Sequence, residues 1–368
     1  MHVRYSPLAQ QFADTDSIFA EMKELVASGD FTLGKVVTEF EEMFAQAVGV
    51  KHAIGVNSGT DALKIPLKAL GLGPGDEVVT CANTFWATVG AINEVGAKPV
   101  FVDSDDNFCL DLDLIEAAIT PNTKALMPVH LTGDVMDMDA LMDIAARHNL
   151  PVIEDACQSL MGERGGKRAG TWGVAAGFSM HPLKIINVWG DAGIIVTNDD
   201  EMNRKSRLLR NHGLKSRDEM VLLGYNSRLD SLQAVIGKWS VRNIHDIVDG
   251  RIRSATYYDR GFEGVPQVKV PVRHPEVKNV FLLYILHVED RDALVRYCID
   301  AGIEAKVHYP IPLYQQEALA YLGHKPGDFP VTDSQAAGTI SFPVDGYLSE
   351  AEQDHVINTV RKFYEERS

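Results

Sequence analysis

From about residue 50 the chain alternates short apolar runs with helix-period stretches, and this rhythm narrows the choice of fold more than any other feature of its 368 residues. His52 to Val56 precedes a helical pattern at Asp61 to Leu70, Glu77 to Cys81 precedes Trp86 to Val95, and Pro99 to Asp103 precedes Leu112 to Ile119. Lys124 to His130 then precedes Met138 to His148, and a further apolar run follows at Pro151 to Asp155. Apolar strands joined by connections long enough to cross over predict an α/β fold, a parallel sheet with helices on both faces. Ligands then belong at the carboxyl ends of the strands. Gly71-Leu72-Gly73-Pro74-Gly75-Asp76 reads as a turn that ends one helix and starts the next strand.

The pattern continues with a strand at Ala192 to Val196 and helices at Glu201 to Asn211, Asp230 to Val248 and Ile252 to Phe262. Past Gly264-Val265-Pro266 it changes: a strand at Phe281 to Val288, a helix at Arg291 to Ala301, a strand near Ile303 to Val307, and an amphipathic helix from Ser349 to about Glu366. We expect a large domain over residues 1–250, with an N-terminal arm and helix in 1–33, and a smaller C-terminal α/β domain over 251–368. With 45% hydrophobic and 23% charged residues the chain can bury such a core.

A formal charge of −16 argues against a nucleic-acid partner or an anionic membrane surface. Cys81, Cys109, Cys157 and Cys298 form no Cys-x-x-Cys pair, so neither a disulfide framework nor a metal site is expected, only buried thiols. Met1-His2-Val3-Arg4-Tyr5-Ser6-Pro7 lacks the pattern of a signal peptide, and no apolar run approaches a membrane span. The expected location is the cytoplasm.

Lys184 lies between two strand-like segments, about thirty residues after Asp155, the residue that closes a buried run. An amine and a carboxylate so placed suit pyridoxal phosphate, one binding its aldehyde and the other holding its ring nitrogen protonated. Gln158 could donate to the ring oxygen, and Ser179 could add a hydroxyl to a phosphate site. In Asn57-Ser58-Gly59-Thr60-Asp61-Ala62-Leu63 the amides of Gly59 and Thr60 can face an anion at a helix N-terminus. Each has a plainer alternative: a helix cap at Ser58 or Thr60, an Asp155 that caps the next helix, a solvated surface Lys184.

Seven segments in register carry a resemblance. They are Asn57 to Leu63, Asn83-Thr84-Phe85, Pro99 to Asp103, Pro128-Val129-His130-Leu131, Val152 to Gln158, Ser179-Met180-His181-Pro182-Leu183-Lys184, and Gly224-Tyr225-Asn226-Ser227-Arg228-Leu229-Asp230. Together they resemble the DegT/DnrJ/EryC1/StrS family of pyridoxal phosphate-dependent sugar aminotransferases, from about Gly34 to the C-terminus. The resemblance implies fold type I, the aspartate aminotransferase-like fold with a mostly parallel seven-stranded sheet, and a homodimer with shared active sites. It makes Lys184 the Schiff-base lysine and Asp155 the partner of the pyridinium nitrogen. Gln158 then meets the ring hydroxyl, Phe85 stacks on the ring, Gly59, Thr60 and Ser179 take the phosphate, and Asn226 reaches it from the neighbouring subunit.

By the same resemblance Val307 to Tyr314 is similar to a substrate-side loop, so His308, Tyr309 and Tyr314, with Trp86 and His181, are candidates to border the sugar. Packing within the smaller domain is the alternative for the loop residues. Met180, Ile185, Thr132 and Asp191-Ala192-Gly193 depart from the family's pattern near the pocket. The implied reaction moves an amino group from L-glutamate, through pyridoxamine phosphate, to a keto sugar. That sugar is expected to be nucleotide-linked, 3-keto rather than 4-keto, and 2-oxoglutarate leaves as co-product. An aminocyclitol transaminase and a non-catalytic regulator that binds cofactor or sugar are the alternatives.

Overall fold

The computed structural model describes residues 1–367. Seven strands form the central sheet: β1 (His52–Val56), β2 (Glu77–Cys81), β3 (Lys98–Val102), β4 (Thr123–Met127), β5 (Ile153–Asp155), β6 (Ala175–Ser179) and β7 (Gly193–Thr197). Their spatial order is β3-β2-β4-β5-β6-β7-β1. β2 pairs in parallel with β3 and β4, and β5 with β6. β4 meets β5 through parallel bridges at Leu126–Val152 and Val129–Asp155.

β7 is the exception, antiparallel to both β6 and β1. No helix separates it from β6, only the loop that carries Lys184, so the chain returns beside the strand it has just left without a crossover. Every residue of β7 is buried, as a strand covered on both faces requires. Helices Lys35–Val48 and Ser231–Arg242 lie together on one side, where a Cβ on Gly237 would come 2.7 Å from the Phe40 ring.

The C-terminal part holds an antiparallel sheet of β8 (Val268–Lys269), β9 (Tyr284–Val288) and β10 (Thr339–Phe342). Its core gathers Tyr258, Phe262, Tyr284, Phe342 and Phe363. Helix Glu350–Glu365 opens on a capping box between Ser349 and Glu352. The strand expected near Ile303 to Val307 reduces to single bridges, Val3–Ile303 and Lys306–Ser341, because the segment meets two different neighbours in turn. The helix expected over 230–248 stops at Arg242 and a new one runs Ile244–Gly261. That second helix passes without interruption through residues 250 and 251, with Val248 in the main core and Ala255 and Tyr258 in the C-terminal one. Among the described residues no helix is long and apolar enough to cross a membrane.

Candidate active site

The carboxyl ends of β1, β5 and β6 and the loop after β2 converge on a cavity of about 340 Å³. Asp155 and Lys184 both line it. Asp155, the last residue of β5, is 5% exposed. Its Oδ2 accepts the Thr88 hydroxyl at 2.7 Å and its Oδ1 accepts the Cys157 amide at 3.2 Å. The chain beyond it makes turns, so this carboxylate does not cap a helix.

Lys184 is half-buried, on a turn closed by its own amide bonding the His181 carbonyl at 2.8 Å. Its Nζ stands 5.8 Å from the centroid of the Phe85 ring. Desolvation pulls the ammonium below the ordinary 10.5, against the opposing pull of Cys157 and Asp155. A lysine so placed supplies more free amine near neutrality than a solvated one.

The helix after β1 runs Gly59–Ala69. The Ser58 hydroxyl accepts the Asp61 amide at 3.1 Å, so Ser58 is its cap. The first-turn amides of Gly59 and Thr60 lack intrahelical acceptors by the geometry of any α-helix. A Cβ on Gly59 would lie 2.6 Å from the Ser179 Cβ, so glycine alone lets the end of β6 come this close. The cap uses the Asp61 amide and so leaves those of Gly59 and Thr60 unused by Ser58.

Gln158, His181, His308 and Tyr309 also line the cavity. Gln158 hydrogen-bonds the Tyr309 hydroxyl, whose pKa burial pushes up. His308 Nδ1 lies 2.9 Å from Ser341 Oγ. Burial first, then the charges of Lys306 and Lys184, pull His308 down from 6.5 to about 4. Three of the residues singled out from sequence lie outside the cavity lining. Trp86 is exposed, its ring 4.4 Å from that of Phe85. Tyr314 is 2% exposed, packed 4.8 Å from Phe329 with its hydroxyl donating to Asp333, because the loop after Pro312 folds into a local core. Asn226 is exposed and bridges Asn211.

Of the departures from the family pattern, Met180, Ile185 and Thr132 are buried in packing and only Asp191 lines the cavity. Sequence reasoning missed Thr88, which holds Asp155, and the N-terminal stretch Tyr5 to Leu8 with Gln11, which closes one side. It also missed Arg251, though a signal existed. Val248, Arg251, Ala255, Tyr258 and Phe262 follow helical spacing, and an arginine on that otherwise apolar stripe marks a buried charge.

The residues fit pyridoxal phosphate: an amine for its aldehyde, a carboxylate for its ring nitrogen, an aromatic ring, and a glycine cradle beside a hydroxyl for its phosphate. The profile described as the DegT/DnrJ/EryC1/StrS aminotransferase family matches residues 13–361. A protein named "Pleiotropic regulatory protein" from Geobacillus stearothermophilus is 40% identical, with 99% of each chain covered. A dTDP-3-amino-3,4,6-trideoxy-alpha-D-glucose transaminase from Micromonospora megalomicea subsp. nigra is 38% identical over 97% of each. The crystal structure of S. venezuelae DesV in complex with ketimine intermediate superposes with a TM-score of 0.96 at 36% identity, covering 99% of both chains. With this site on this sheet, the chain belongs to the DegT/DnrJ/EryC1/StrS aminotransferase family and is a pyridoxal phosphate-dependent sugar aminotransferase.

Proposed function

We propose that the protein moves an amino group from L-glutamate to the 3-keto group of a nucleotide-linked sugar. The observation that carries this reading is a desolvated Lys184 in the same cavity as the anchored carboxylate of Asp155. The 3-position is supported by relatives whose names place their chemistry there. They include a UDP-2-acetamido-2-deoxy-3-oxo-D-glucuronate aminotransferase of Pseudomonas aeruginosa at 39% identity and the dTDP-3-amino transaminases of Micromonospora and Streptomyces.

When bound, pyridoxal phosphate supplies an aldehyde that condenses with amines and a ring that accepts electrons from the reacting carbon. Around it, Asp155 would keep the proton on the ring nitrogen, and Thr88 and the Cys157 amide hold the Asp155 carboxylate in place. Gly59, Thr60 and Ser179 hold the phosphate at the helix N-terminus. Phe85 covers the ring, and Gln158 meets its hydroxyl. The Lys184 Nζ would hold the cofactor through its aldehyde and, as a free amine, would take and return a proton in the cavity. His181, His308 and Tyr309 border the sugar. Two copies of the chain form the working unit, and Asn226 of each reaches the phosphate of the other.

Purified yellow holoenzyme should bleach with L-glutamate and regain its colour with a 3-keto nucleotide sugar. Recovery with scyllo-inosose instead would make it an aminocyclitol transaminase. The names of two relatives, the pleiotropic regulatory protein and the sensory transduction protein EryC1, favour a regulatory second reading, which a yellow protein inert to every amino donor would support.

A further inference from the structure

The cavity lining includes hydrogen-bond donors that meet no acceptor in the chain. Gln11 and Arg251 are each 9% exposed, and the Gln11 Nε2 and Arg251 Nε have no hydrogen-bond partner. The Tyr5 hydroxyl, also on the lining, stands against Ser341, which His308 engages as well. Leaving buried donors unmet is costly, so two on the lining of one cavity imply a ligand that accepts from them.

The guanidinium is also held in place. Its Nη1 donates to the carbonyls of Val344 at 2.9 Å, Phe281 at 3.1 Å and Leu282 at 3.4 Å, which leaves the Nε edge for something else. Lys306 Nζ stands 4.3 Å over the Tyr5 ring, and that ring lies 5.8 Å from His308. The cavity lining carries Lys184, Arg251 and Lys306 against Asp155 and Asp191. With Asp155 committed to the cofactor ring, the rest of the lining has an excess of positive charge.

We infer that Gln11, Arg251 and Tyr5 form a carboxylate site for the amino donor, so that the N-terminal segment selects the donor. The inference rests on the transaminase reading above. A carboxylate offers two acceptor oxygens to a fork of donors, which an uncharged sugar carbon does not. It also explains the location. His308 feels the charges of both Lys306 and Lys184, which places this part of the lining near the reactive nitrogen. An amino acid carries its carboxylate on the same carbon as the amine that must reach that nitrogen.

The test follows bleaching of the yellow holoenzyme against L-glutamate concentration for the wild type, Gln11→Glu and Tyr5→Phe. Gln11→Glu puts a negative charge where the donor's would sit and should raise KM for L-glutamate about tenfold or more, with a smaller change in kcat. Tyr5→Phe removes one hydroxyl and should raise it several-fold. Independently of turnover, maleate, a dicarboxylate with no amine, should raise the Tm of the wild-type holoenzyme and fail to raise that of Gln11→Glu. Both variants keeping the wild-type dependence on L-glutamate, with an unchanged maleate shift, would overturn the inference and leave the transaminase reading intact. A wild type that L-glutamate does not bleach would count against that donor instead, and the maleate comparison would then decide the carboxylate site by itself.

Discussion

Thr88 has no chemistry of its own, yet Asp155 depends on it: its hydroxyl reaches Oδ2 at 2.7 Å and is in turn 2.9 Å from the Thr84 hydroxyl. Thr88→Val keeps the shape and removes the donor, a loss of about 1–3 kcal/mol that should cut kcat by roughly tenfold to a hundredfold with the fold intact by circular dichroism. Gly59→Ala should weaken cofactor affinity about tenfold or more in a titration of apoenzyme, since its Cβ has no room beside Ser179. His308 titrates at about 4 in the fold against 6.5 when unfolded, so below 6.5 the unfolded chain takes up the proton more readily and acid favours unfolding. Stability is therefore lost as pH falls from 6.5 toward 4 and kept above 6.5, and His308→Gln should flatten Tm across that window. At this scale the meeting of Lys184, Asp155, Gly59 and Ser179 in one cavity could be anticipated, because each lies at a strand end or shortly after one. Thr88, Tyr5 and Gln11 could not be, because a hydroxyl one turn into a helix and a segment folded back from the N-terminus leave no mark in spacing.

Glu41 shows how elements are locked around β1. From helix Lys35–Val48 its carboxylate accepts the Gly55 amide at 2.8 Å, pairs with Arg207 at 2.9 Å, and bonds the buried Arg210. Glu41→Ala would leave Arg210 desolvated without its partner, and we expect a loss of about 3–5 kcal/mol in denaturant unfolding. The strands of the sheet were legible as apolar runs and the helices as 3.6-residue periods. The direction of β7 was not, since alternation carries no polarity and only the missing crossover helix between β6 and β7 hinted at it. The break at Asn243 went unread for a similar reason: the apolar period continues across it from Val241 to Ile244 and Val248.

For the whole molecule, the exposed apolar side chains Phe19, Val26, Phe31, Leu183 and Trp189 support the proposed dimer, with Leu183 adjacent to the reactive lysine. If Asn226 serves the neighbouring copy's site, mixing the inactive Lys184→Ala and Asn226→Ala proteins after dissociation should restore activity to about one quarter of wild type, the share of intact sites on random pairing. Activity no higher than either variant alone would place Asn226 outside the site. The sheet and the C-terminal α/β unit could be anticipated from sequence, whereas Ile244–Gly261 runs through both cores and gives no linker to mark a boundary. Everything proposed for this molecule requires the cofactor to be bound through Lys184. Borohydride reduction of the yellow holoenzyme, followed by digestion and peptide mass spectrometry, reads that bond directly: the phosphopyridoxyl group should be found on Lys184, and its recovery on any other lysine, or on none, would contradict the assignment.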